Sequence, residues 1–97
     1  MTFPPVRVLG SETRLLESQH TGRTYQISVS LPLGYHRAPD EAWPFDATPD
    51  SWPVVYVLDG NWYFGLVTDT IRRMAWCGGT TDAIVVGIGY PEPEDPV

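Results

Sequence analysis

Apolar and polar positions alternate strictly from Thr24 to Leu31, with Tyr25, Ile27, Val29 and Leu31 on one side and Gln26, Ser28 and Ser30 on the other. A period of two is that of a half-buried β-strand, because successive side chains point to opposite faces. Pro32 lacks the N–H that a ladder needs and ends the run. Upstream, residues 12–20 mix polar and apolar positions around Leu15 and Leu16. Between the two segments, Thr21-Gly22-Arg23 offers a glycine suited to a tight turn, so residues 12–32 predict an antiparallel hairpin. The proline-limited lead-in, residues 1–11, has room for a further edge strand over 3–9.

The pattern changes at Val54-Val55-Tyr56-Val57-Leu58, where both faces are apolar. A continuous β-branched run predicts a strand covered on both sides, as in a parallel sheet. It stops at Asp59-Gly60, and Asn61 is a residue suited to N-capping a helix. Phe64, Val67, Ile71 and Met74 then recur at helical spacing, with Leu66 widening the stripe. Arg72 and Arg73 fall in the last turns, where positive charge complements the macrodipole, and Gly78-Gly79 ends the helix. Asp82 to Gly89 is a second apolar strand. Strand, helix and strand over 53–89 make a βαβ unit. Residues 33–52 read as a long proline-rich loop in which Trp43 and Phe45 either pack down as anchors or line a pocket, and 90–97 as a proline and acid tail. The fold class is α/β: an antiparallel hairpin followed by a parallel βαβ unit in a mixed sheet, one incomplete domain over 1–97.

Composition narrows the partners. Of the 97 residues 42% are hydrophobic and 19% charged, the balance of a folded chain. Twelve acids against six basic residues, all arginine, give a net charge of −6, which argues against nucleic acid and anionic membranes as partners. The lone Cys77 makes neither a disulfide framework nor a cysteine metal site, and reads as a small apolar residue near a helix end. No apolar run approaches the ~20 residues of a membrane span. With Met1 as the true start, and no signal segment after it, the expectation is a cytoplasmic protein.

Four stretches carry a resemblance: Arg23-Thr24-Tyr25, Leu31-Pro32-Leu33-Gly34-Tyr35, Trp52 through Asn61, and Ile84-Val85-Val86-Gly87-Ile88-Gly89-Tyr90. In this order and spacing they resemble successive landmarks of an esterase family of α/β-hydrolases, over residues 12–91. That family includes siderophore (enterobactin-type) esterases, S-formylglutathione hydrolase, feruloyl and acetyl-xylan esterases and mycolyl transferases. Leu58-Asp59-Gly60-Asn61 with Val86-Gly87-Ile88-Gly89-Tyr90 looks most similar to the siderophore-esterase branch.

The resemblance implies the N-terminal part of an α/β-hydrolase that cleaves small-molecule carboxylic esters through a serine acyl-enzyme, without a cofactor. Such chemistry passes through a tetrahedral oxyanion held by preorganised backbone N–H groups, one of them from the loop after the third strand. By resemblance that donor is the N–H of Asn61, at a helix start. Without the resemblance, Asp59-Gly60-Asn61 reads first as a tight turn and cap. Asp59 is expected to be structural, its carboxylate bonding the turn backbone. Trp62 and Tyr63 lie at the mouth of the crevice and either touch substrate or pack, whereas Phe64 belongs to the core stripe.

The rest of a catalytic set is absent from these residues. None of Ser11, Ser18, Ser28, Ser30 or Ser51 stands in a Gly-x-Ser-x-Gly elbow, and His20 and His36 precede everything relevant and are too isolated to ligate metal. Gly87-Ile88-Gly89 has neither the third glycine nor the helix of a dinucleotide fingerprint. Two rivals stand beside the esterase reading: a non-enzymatic binding module, and a carbohydrate esterase or acyl transferase of the same superfamily.

Overall fold

The computed structural model describes residues 3–32, 35 and 51–91. Within them the chain forms β1 (Ser11–Glu17), β2 (Thr24–Ser30), β3 (Val54–Leu58), α1 (Gly60–Trp76) and β4 (Ile84–Gly89). The four strands make one sheet in the order β1-β2-β4-β3. β1 and β2 pair antiparallel as the expected hairpin, β3 and β4 pair parallel around α1 as the expected βαβ unit, and β2 joins the two by pairing antiparallel with β4. The mixed α/β sheet read from the sequence is therefore the observed one. Trp43, Phe45, His36 and the tail from residue 92 lie outside the described residues, as does most of the loop.

Val57, Val85 and Phe64 form the centre of the core, where α1 lies on the sheet, with Val8, Val55, Val67 and Ile71 packed around them. The helix approaches β4 closely because β4 carries glycines on that face: a Cβ at Gly87 would come within 2.8 Å of the Phe64 ring. Glycine here permits close approach of a neighbouring element.

Three expectations need correction, and the face of β2 that α1 covers is the polar one: Ser30 is 1% exposed and accepts a 2.7 Å hydrogen bond from Arg72 Nη2. Tyr25, Ile27 and Val29 share the opposite face with Val86 and Ile88 of β4, and that register continues to Tyr56 and Leu58 of β3. For the same reason β3 is covered on one side alone: Val57 is buried, while Tyr56 and Leu58 are 68% and 72% exposed. Among the described residues one helix supplies the second layer, so only one face is covered. The lead-in adds no strand, because Val8 packs on the core and its carbonyl accepts a hydrogen bond from Ser11 Oγ at 2.6 Å.

The helical stripe is also rotated. Met74 and Leu66 are exposed, and Thr68 and Arg72 occupy the buried side with Phe64 and Ile71. Positions 64, 68 and 72 form a single i, i+4 row, and its Phe64 fills the space left by Gly87. Arg73 alone of the two arginines remains in the last turn as a charge for the helix dipole.

Candidate active site

β3 delivers the chain to the C-terminal edge of its parallel pair, and a single residue redirects it. Asp59 has φ 54° and ψ 46°, the left-handed conformation, and is the one non-glycine residue at positive φ among the described residues. Asp adopts this region more readily than most residues, though at a cost of roughly 1 kcal/mol or more. The helix therefore starts at Gly60, with Asp59 as its N-cap. This corrects the expectation that Asn61 caps: Asn61 is the second helical residue. The Asp59 side chain makes no cap hydrogen bond either, and its carbonyl is the group that works, accepting from Trp62 N–H at 2.9 Å and Tyr63 N–H at 3.1 Å.

The N–H groups of Gly60 and Asn61 have no acceptor among the described residues. These are the donors a helix start leaves over, at the positive end of its dipole. No acidic side chain stands in the first turn to compete for them. Gly60 is buried against β4 and Asn61 is exposed, so it is the Asn61 N–H that can stabilise a negative oxygen arriving from solvent.

The Asn61 side chain turns away from the helix and reaches the end of β4. Its Nδ2 donates to the Tyr90 carbonyl at 2.8 Å, and the Tyr90 N–H donates to Oδ1 at 2.7 Å. Gly89 makes room for it, since a Cβ there would overlap the Asn61 amide. Trp62 is 84% exposed and Tyr63 is exposed, so both present rings beside the helix start, while Phe64 is in the core as expected. The serines serve structure where they bond: Ser11 to Val8 and Ser30 to Arg72. His20 is exposed in the hairpin turn, far along the chain from α1.

Sequence reasoning located the turn and missed its lock. The Tyr90 partner is a backbone group and leaves no residue-type signal. Its trace is indirect, in the Gly87-x-Gly89 spacing that lets α1 lie against β4.

Relatives bear on the fold at this point. The structure superposes on the BES protein from Bacillus cereus with a TM-score of 0.68 at 29% identity, covering 95% of this chain and 32% of that one. The fold is the N-terminal part of an α/β-hydrolase. A siderophore hydrolase of Aspergillus nidulans, EstA, gives a TM-score of 0.62 at 29% identity over 98% of this chain and 31% of that one. In sequence, the chain is 34% identical over 88 residues to ferri-bacillibactin esterase BesA of Bacillus subtilis, 88% of this chain and 27% of the relative. It is 38% identical over 68 residues to a siderophore enterobactin esterase of Emericella nidulans, 69% of this chain and 20% of that protein. The chain thus spans about a quarter of the length of the curated relatives it matches. No protein-family model matches it.

Proposed function

We propose that this chain supplies the oxyanion-stabilising half of the active site of a serine-type carboxylic ester hydrolase that acts through an acyl-enzyme on a small-molecule ester. The observation that carries the reading is the pair of free N–H groups at the start of α1, in a chain similar to siderophore esterases on both sides of that turn. In this reading Asn61 N–H donates to the carbonyl oxygen as it becomes an oxyanion. One such donor is worth roughly 3–4 kcal/mol of transition-state stabilisation. Trp62 and Tyr63, exposed beside the donor, contact the acyl or aromatic part of the substrate. The relatives named as siderophore esterases favour a siderophore ester as that substrate. The nucleophile, base and acid belong to residues outside this sequence.

The test is hydrolysis of p-nitrophenyl acetate and of an enterobactin-type trilactone by the natural protein that carries this sequence. Turnover abolished by a serine-directed phosphonate is expected; absence of both turnover and labelling contradicts the reading. Residues 1–97 alone are expected to show no turnover above a heat-treated control, since they contain no nucleophile elbow.

A further inference from the structure

Asn61 exchanges two hydrogen bonds with the backbone of Tyr90, donating through Nδ2 at 2.8 Å and accepting through Oδ1 at 2.7 Å. A side-chain amide here reproduces the reciprocal pairing of two residues in an antiparallel ladder. Its two ends lie 29 residues apart, one in the first turn of α1 and the other just past β4. The preceding hinge, Asp59, is in a sparsely populated conformation and contributes no side-chain cap. Nothing else among the described side chains ties this helix start to the sheet by a hydrogen bond.

We infer that the Asn61 side chain is a positioning residue, whose clamp on the Tyr90 backbone fixes the direction of the N–H groups at the start of α1. The inference rests on the ester-hydrolase reading and adds to it a role for the side chain. A helix start otherwise frays, and an N–H that wanders by an ångström no longer meets the oxyanion. Catalytic groups need to be held within about 0.5 Å, and misplacement by 1 Å costs on the order of 100-fold. The tight packing at Gly89 supports a role beyond capping. The sheet gives up a side chain at the position where the amide sits.

The experiment uses the natural protein carrying this sequence, with p-nitrophenyl acetate as substrate and a boronic acid as tetrahedral analogue. N61A is expected to lower kcat by about 10- to 100-fold, with KM within about twofold and boronate affinity falling in step with kcat/KM. Tyr90→Pro deletes the N–H that Oδ1 accepts and leaves Asn61 intact. It is compared with Tyr90→Ala, which keeps the N–H and removes only the ring, whose centroid lies 5.8 Å from that of Tyr25 in a tilted pair. The proline variant is expected to lose kcat beyond the alanine variant, and N61A combined with Y90P to be no worse than the poorer single variant. Loss confined to KM, a kcat within twofold of wild type in N61A, equal kcat in Y90P and Y90A, or additive losses would each overturn the positioning role. A wild-type protein that neither hydrolyses the ester nor takes up a serine-directed phosphonate marks the failure of the hydrolase reading, and the positioning role falls with it. In an active wild type the variants decide the clamp alone.

Discussion

Thr68 and Arg72 place polar atoms on the side of α1 where the spacing of Phe64, Val67, Ile71 and Met74 predicts methyl groups. Thr68 is 1% exposed, and its Oγ1 has no hydrogen-bond partner among the described residues; the same holds for Arg72 Nε. An orphaned buried hydroxyl costs roughly 1–3 kcal/mol. Thr68→Val keeps the shape and removes the orphan, so it is expected to stabilise the natural protein by about 1 kcal/mol, read as a raised midpoint in thermal unfolding followed by circular dichroism. A lowered midpoint would contradict this. Ser30→Ala does the reverse, because it strips Arg72 Nη2 of its 2.7 Å acceptor, and is expected to cost about 1–3 kcal/mol in urea unfolding. The alternation in β2 was legible to the residue, but which face the helix would cover was not. Ser30 and Arg72 are 42 positions apart, and their hydrogen bond exists only once β2 and α1 are in register.

At the scale of elements, the junction of β3, α1 and β4 is set by small residues on β4 rather than by large ones on α1. A methyl at Gly87 would meet Phe64 Cδ1 at 2.8 Å and Cβ at 3.1 Å, so a ring at the centre of the core would have to move. Gly87→Ala is therefore expected to destabilise by about 1–3 kcal/mol, the usual range for overpacking a filled core, measured as a lowered urea midpoint with unchanged slope. An unchanged midpoint would show that α1 lies further from β4 than described. The strand–helix–strand order was fully legible, because a continuous apolar run, a 3.6-residue stripe and a second apolar run are distinct periods. The cap was legible only to within two residues. Asn is a good capping residue, but the left-handed Asp59 starts the helix earlier and leaves the Asn61 amide for Tyr90. Residue preference cannot distinguish those two uses of one side chain.

For the molecule as a whole, the described residues give a sheet with one face under α1 and one open. Tyr56 and Leu58 stand exposed on the open face beside half-buried Ile27, Val29, Val86 and Ile88, and β3 is an edge strand within the described residues. Open apolar strand edges pair with other chains. Residues 1–97 alone are expected to self-associate, with sedimentation showing species larger than monomer, and Tyr56→Lys with Leu58→Lys is expected to reduce it. A monodisperse monomer that melts cooperatively would count against this. The apolar run 54–58 predicts a strand covered on both faces, and within the described residues one face is covered. Among the described residues one covering layer is present, and the curated relatives are roughly three and a half times as long as this chain.

In the proposed function Asn61 N–H, at the turn after β3, holds the oxyanion of an ester hydrolase. The most direct measurement is a crystal structure of the natural protein carrying this sequence, inhibited by a serine-directed phosphonate. The phosphonyl oxygen is predicted to lie about 2.7–3.1 Å from the backbone nitrogen of Asn61, with the side-chain amide still on Tyr90. A phosphonyl oxygen bound to other donors, with Asn61 N–H facing solvent, would contradict the claim.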